Sequence, residues 1–406
     1  MAKYKTIDDL GDLQGKRVLV RVDFNVPMAD GKVSDTTRLR RAVPTIEALT
    51  DKQARVILLS HFGRPKGERK PDMTLDHVCQ ALANELKAPV GFVDATIGEK
   101  AEQAVSQMSN GDVLVLENTR FHPGEENNDA DFSAELARLA DAYVNDAFSA
   151  AHRAHASTEG ITRHLPSAAG LALGRELDYL AAALSNPERP MMAVVGGAKV
   201  STKIDVLNEL VTKADKLIVG GGMANTFLLA MDMKVGKSLA EQDLVPTAKE
   251  IMAKAAASGC NILLPKDVVV AKEFVAGAAT QVRAADAVED DEMILDLGPD
   301  SVNSYAEALE DCKTLVWNGP LGAFETEPFH VATVELARFA AKRSKAGALT
   351  SVAGGGDTVA ALAVANVTDD FTYVSTAGGA FLEWMEGKTL PGIAALEIND
   401  KKDGSA

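Results

Sequence analysis

Short apolar runs rich in β-branched residues alternate along this chain with longer amphipathic stretches, and that alternation constrains the fold more than any other feature. The expected strands are residues 17–23, 55–60, 113–116, 142–145, 191–195, 216–219, 261–264, 314–317, 349–353 and 371–375. Each is almost continuously apolar, so each must be covered on both faces, as strands of a parallel sheet flanked by helices are. Four hundred and six residues are too many for one ordinary domain. The expected class is therefore α/β, with two doubly wound parallel-sheet (Rossmann-like) domains joined by a connecting helix. That helix follows the small-residue segment 166–170, and its Leu173, Leu177, Leu180 and Leu184 form one apolar stripe. It divides the chain into 1–170 and 171–389; residues 399–406 are polar and small and are expected to fray.

The net charge of −16 would repel DNA, RNA and anionic lipid at long range, so nucleic acid is not expected as a partner. No apolar run approaches the ~20 residues that span a bilayer, and no apolar stretch follows the first lysines as in a secretory signal, so a cytoplasmic address is expected. Cys79, Cys260 and Cys312 lie far apart, which favours three small buried apolar residues over a disulfide framework or a zinc site. Twelve of the 17 arginines and six of the seven histidines precede Leu171, whereas lysine dominates afterwards. The arginine fork matches carboxylates and phosphates, so the first half suggests a small-anion site, against chance surface usage as the alternative.

In parallel α/β sheets, ligands bind beyond the carboxyl ends of the strands, and the unusual residues lie there. Asp23-Phe24-Asn25, His61-Phe62-Gly63-Arg64 and Glu117-Asn118-Thr119-Arg120 follow strands in the first half. Gly196-Gly197, Gly220-Gly221-Gly222, Trp317-Asn318-Gly319-Pro320 and Gly354-Gly355-Gly356-Asp357 do so in the second. None of the glycine clusters completes the dinucleotide fingerprint, since its last glycine position holds Asn225 or Val359. Two Walker-like tails, at Gly236-Lys237-Ser238 and Gly387-Lys388-Thr389, lack the upstream glycine, which is Met231 or Leu382. The signatures of zinc proteases and serine hydrolases are absent.

Lys199 and Lys203, four residues apart after Gly196-Gly197, are expected on one face of a helix start. Two cations there oppose the helix dipole, so a polyphosphate cradle explains them better than a solvated pair. Gly354-Gly355-Gly356-Asp357-Thr358 allows close approach of a phosphate. Thr358 offers a hydroxyl, and Asp357 suits Mg²⁺ or, alternatively, a bare helix cap. Arg38, His61, Arg64, Arg120, His122, His152, Arg153 and His155 form the anion set of the first half. A non-catalytic anion-binding protein and a dehydrogenase are the competing classes.

Several blocks then resemble phosphoglycerate kinase in that family's order, over nearly the whole chain. They are Arg21-Val22-Asp23-Phe24-Asn25-Val26-Pro27, Ser60-His61-Phe62-Gly63-Arg64-Pro65, Leu116-Glu117-Asn118-Thr119-Arg120-Phe121, His152-Arg153-Ala154-His155, Gly197-Ala198-Lys199-Val200, Gly220-Gly221-Gly222-Met223-Ala224, Trp317-Asn318-Gly319-Pro320 and 353–358. Two departures are visible: Phe62 stands where Leu is usual, and Ala377 interrupts a run usually of three glycines. The resemblance implies reversible phosphoryl transfer from MgATP to the carboxylate of 3-phosphoglycerate, giving 1,3-bisphosphoglycerate and ADP. It implies small-molecule partners only, a monomer, and closure of two domains about the connecting helix as a hinge, with 390–406 packing back onto the first.

Carried over by block, Asp23, Phe24 and Asn25 would bind the acceptor near its hydroxyl and carboxylate. His61, Phe62, Gly63, Arg64, Arg120 and Arg153 would surround its phosphate. Arg38 and Lys199 would stabilise the migrating group, and Lys203 the nucleotide phosphates. Asp357 would hold Mg²⁺, Thr358 the phosphates, Glu325 the ribose and Asn318 the ADP end, with Gly221, Gly222, Gly354, Gly355 and Gly356 lining the approach.

Overall fold

The computed structural model describes residues 4–398, so the expectation for 399–406 lies outside the described residues. The chain forms two compact units, Met1–Leu177 with Thr389–Ala406, and Asp178–Lys388. The division falls inside the helix Leu171–Leu184 rather than at its start.

The first unit is built on six parallel strands: β1 (Arg17–Arg21), β2 (Arg55–Leu59), β3 (Gly91–Val93), β4 (Val113–Leu116), β5 (Ala142–Asn145) and β6 (Ser167–Ala169). Their order is β3-β4-β2-β1-β5-β6. Successive side chains of a strand face opposite sides of its sheet. Val18, Val20, Val56, Leu58, Val113 and Val115 accordingly enter one core, and Leu19, Ile57, Leu59, Leu114 and Leu116 the other. Both faces are apolar, which is why these strands read as continuous runs. β6 lies within the small-residue segment 166–170, where no strand was expected. Its Ser-Ala-Ala has no β-branched residue to signal a strand, and pairing with Tyr143–Asn145 supplies its ladder.

The second unit contains β7 (Met191–Gly196), β8 (Lys216–Gly220), β9 (Asn261–Leu263), β10 (Asp267–Ala271), β11 (Thr280–Ala284), β12 (Met293–Leu297), β13 (Thr314–Asn318), β14 (Thr350–Gly354) and β15 (Tyr373–Ser375). Six of them form a parallel sheet in the order β9-β8-β7-β13-β14-β15. This is the doubly wound order, with its topological switch point between β7 and β13. An antiparallel sheet, β11-β10-β12, was not expected from the sequence. Most of Thr280–Ala284 is exposed, so the strand lacks the apolar pattern that would announce it.

Candidate active site

At the carboxyl ends of β1, β2 and β4, three loops are tied together by short side-chain bonds. Arg38, half-buried on the helix Thr37–Asp51, donates from Nη1 to Asp23 Oδ2 at 2.9 Å, to Asp23 Oδ1 at 3.1 Å and to the Asn25 carbonyl at 2.9 Å. Ser149 Oγ donates to Asp23 Oδ2 at 2.6 Å. Asn25 Oδ1 accepts the Gly63 N–H at 2.9 Å, and Arg120 Nη1 donates to the Gly63 carbonyl at 2.9 Å. Asn118, fully buried, accepts the Phe62 N–H at 3.1 Å and the Arg120 N–H at 3.0 Å, and donates to the Phe62 and Met73 carbonyls. The structure thus brings Asp23, Asn25, Arg38, His61, Gly63 and Arg120 onto one loop cluster. Arg64 and Arg153 are exposed in the loops that continue from it, with Arg153 Nε 3.1 Å from His152 Nε2.

Phe24 and Phe62, expected to bind substrate, are instead core residues, since both side chains are buried in the apolar cluster beneath the loops. A strand-end residue whose side chain turns into the core can offer a ligand only its backbone. His155 of the anion set is also buried, and burial first, then Arg21, Arg120, Arg153 and His152, lowers its pKa to about 4. The sequence reading missed Arg21. Alternation along β1 puts it on the Leu19 face, where it is 1% exposed and lies 3.0 Å from His61 Nδ1 through Nη2. An arginine closing a run expected to be buried on both faces was the available signal.

In the second unit the two central strands meet at their ends with no room for side chains. A Cβ on Gly196 would fall inside the Pro320 carbonyl oxygen, and one on Gly319, whose φ is +104°, inside the Gly196 carbonyl. Added Cβ atoms on Gly221 and Gly222 would lie 2.6 Å from the carbonyl oxygens of Gly197 and Ala198. These glycines let backbone pack on backbone around the switch point. Beside it opens a cavity of about 510 Å³, within the range of small-molecule sites. Its lining includes Gly197, Gly221, Leu239, Pro320, Phe324, Glu325 and Asp357. Leu239 and Phe324 carry no motif, and only the cavity reveals them.

Lys203 Nζ donates to Asn318 Oδ1, and Asn318 Nδ2 donates to the Gly354 carbonyl at 2.7 Å. Asn318, almost fully buried, is therefore a strut between the lysine and the glycine-rich turn. Burial holds the Lys203 pKa below its ordinary value, against the opposing charges of Asp357 and Glu386. The expected sharing of one helix face by Lys199 and Lys203 does not occur. Residues Val200–Thr202 form a 3-10 turn, Lys203 N–H donates to the Val200 carbonyl at 2.8 Å, and the helix begins only at Ile204. Lys199 is exposed on extended backbone before that turn.

The helix Gly356–Val364 begins at the glycine cluster, with Asp357 exposed in its first turn. The first N–H groups of a helix have no partner within it and suit an anion. Thr358 was expected to offer its hydroxyl. Its side chain is buried and Oγ1 accepts the Gly319 N–H at 2.7 Å, which leaves the hydroxyl proton and the backbone N–H as its donors. Ala377 has φ −97°, an ordinary value, so the departure at that position needs no glycine. Among the described residues no group of three or more His, Cys, Asp or Glu could hold a metal alone. A single exposed carboxylate in the first turn of a helix fits Mg²⁺, which is commonly held by one or two carboxylates together with substrate phosphates.

Asp296, on the cavity wall, is buried, accepts the Ala332 N–H at 3.0 Å, and has no partner for Oδ1. Burial raises its pKa to about 7, outweighing the backbone donors. A carboxyl raised in the folded state stabilises below its unfolded pKa, near 4, and that contribution is lost as pH rises through about 7. Asp296→Asn should therefore gain stability relative to the parent between pH 5 and pH 8, by about 3 kcal/mol. Urea unfolding at the two pH values measures the difference, and a pH-independent gap would refute the assignment.

The sequence profile of phosphoglycerate kinase matches residues 7–388. A phosphoglycerate kinase of Maricaulis maris is 62% identical over 396 residues, covering 98% of each chain. One of Rhizobium leguminosarum bv. trifolii is 60% identical, covering 98% of this chain and 99% of its own. Among solved structures, phosphoglycerate kinase from Coxiella burnetii superposes with TM-score 0.90 at 42% identity, covering 97% of this chain and 99% of its own. That from Pyrococcus horikoshii gives 0.80 at 30% identity, covering 97% and 98%. With the profile, the relatives and both solved structures agreeing over nearly the full length, this chain belongs to the phosphoglycerate kinase family.

Proposed function

We propose that this chain catalyses reversible phosphoryl transfer between ATP and the carboxylate of 3-phosphoglycerate, giving 1,3-bisphosphoglycerate and ADP, with its first unit binding the acceptor and its second the nucleotide. The observation that carries the nucleotide half is a cavity of about 510 Å³ beside a doubly wound switch point, with Asp357 on its lining and a half-buried Lys203 close enough to feel that charge.

The acceptor carboxylate is ionised at neutral pH, so the reaction needs no base. One of its oxygens attacks the γ-phosphorus, and the bond from that phosphorus to the β–γ bridging oxygen breaks, leaving ADP. Catalysis is then positioning and charge stabilisation. His61, Arg64, Arg120 and Arg153 hold the acceptor's phosphate, and Asp23 and Asn25 its hydroxyl and carboxylate region. Arg38 and Lys199 stabilise the migrating group. Lys203 and the backbone N–H groups of Gly356, Asp357 and Thr358 take the nucleotide phosphates, and Glu325 the ribose. Mg²⁺, held by Asp357 with those phosphates, would neutralise their charge.

Asn318 acts by keeping Lys203 in place. Transfer in the absence of competing water requires the units to close on their two ligands, with the helix Leu171–Leu184 as the proposed hinge. Among the described residues no helix is long and apolar enough to cross a membrane; a cytoplasmic monomer without nucleic-acid partners is the proposed state. Trapping the acyl phosphate with hydroxylamine tests the reading. Product is expected from 3-phosphoglycerate and ATP with Mg²⁺ and should fall at least 100-fold without it. A protein that binds both ligands but yields no acyl phosphate would be an anion-binding protein instead.

A further inference from the structure

The His61 ring is held from behind by a group that can act in only one way. Arg21 Nη2 lies 3.0 Å from His61 Nδ1, and a guanidinium donates hydrogen bonds but cannot accept them. Nδ1 must therefore be the acceptor, which places the ring proton on Nε2. The guanidinium is itself fixed. Nε donates to Ser157 Oγ at 2.9 Å, Nη1 donates to the Val22 carbonyl, and Ser157 Oγ donates to the buried Glu125 Oε1 at 2.5 Å. Glu125 Oε2 accepts the Ser157 N–H at 3.0 Å. A buried carboxylate, a hydroxyl and a buried guanidinium thus stand in line behind the imidazole.

We propose that Arg21 is a positioning residue that holds His61 as the neutral Nε2–H tautomer, so that the ring meets the acceptor's phosphate as a hydrogen-bond donor. The proposal rests on the placement of 3-phosphoglycerate given above. The charges around the ring favour the same state. His61 is surrounded by Arg21 from β1, Arg38 from the helix Thr37–Asp51, Arg120 from the turn after β4, and His155. Burial foremost, then Arg21, Arg120 and Arg38, and His155 least, keep its pKa well below the ordinary histidine value. A neutral donor flanked by fixed arginines gives a phosphate grip that does not titrate where histidine ordinarily does.

The test uses the full-length protein labelled with ¹⁵N-histidine, with two-bond ¹H–¹⁵N correlations recorded from about pH 5.5 to pH 8. The His61 signals are identified by their loss in His61→Gln. A protonated Nε2 and a bare Nδ1 throughout are expected; a protonated Nδ1, or a doubly protonated ring by about pH 6, would overturn the proposal. In Arg21→Met the ring should populate both tautomers, and its pKa should rise toward the ordinary value without reaching it, since burial and the other arginines remain. KM for 3-phosphoglycerate should rise about tenfold and become pH-dependent, with KM for MgATP within about twofold of the parent. A ring that keeps its tautomer without the arginine would equally overturn it. If Arg21→Met does not fold, the parent spectrum decides alone. Should the tautomer be as expected yet the His61 signals not shift on addition of 3-phosphoglycerate, the Arg21–His61 coupling stands and the placement of the phosphate on His61 fails.

Discussion

Replacing Arg38 by alanine is expected to lower kcat about 1,000-fold while leaving KM for MgATP within about twofold. Every hydrogen bond that holds this guanidinium uses Nη1, toward Asp23 and the Asn25 carbonyl, so Nη2 and Nε remain to meet an anion. A unit charge about 4 Å from a partner is worth about 4 kcal/mol at an effective dielectric of 20, which is roughly three orders of magnitude in rate. That interaction matures only as negative charge gathers on the migrating phosphoryl group, so the loss falls on kcat. Asp23 would keep the Ser149 hydroxyl and the Asn25 N–H, which limits damage to the fold. Arg38→Lys should recover part of the rate, since it restores the charge but not the planar fork. A coupled assay reads both variants, and near-normal turnover in Arg38→Ala would remove the residue from the transition state.

The second large effect is structural. Gly196→Ala should cost more than about 3 kcal/mol and abolish nucleotide binding. The added methyl would meet the backbone of Pro320 and Gly319, which cannot swing aside as a side chain can. Relief would require parting β7 from β13, where Val195 pairs with Asn318, and Asn318 is the strut of Lys203. Gly356→Ala is the informative contrast, because a Cβ there meets nothing within 4 Å. Its stability should stay within about 0.5 kcal/mol of the parent or rise slightly, alanine being the better helix former. Urea unfolding with ATP titration distinguishes the pair; a Gly196→Ala protein of parental stability would refute the close-approach argument.

The central strands were legible because burial on both faces leaves a continuous apolar run, and β1, β2, β4, β7, β8 and β13 all carry one. β6 and the antiparallel sheet were not legible: Ser167–Ala169 is stabilised by its neighbours, and Thr280–Ala284 is an exposed edge. The same limit applied at the site. The charged residues after the strands could be named, yet nothing local says that Phe62 turns inward, that Thr358 serves Gly319, or that Arg21 lies beneath His61. Lys203 could be named, but its helix start was misplaced by the 3-10 turn that precedes Ile204.

Gly354, Gly355 and Gly356 are identical letters with three different reasons. A Cβ on the first would strike the Phe381 ring at 2.5 Å, the second has φ +100°, and the third has open space. From the sequence alone came the α/β class, the two domains and the places where charged residues cluster at strand ends, because burial and strand-end position act through neighbours in the chain. Which atoms of those residues are left for a ligand was decided only by the tertiary structure. Their remaining hydrogen bonds and steric limits come from segments tens to hundreds of residues away, and chemistry belongs to whichever donor or acceptor those partners leave uncommitted.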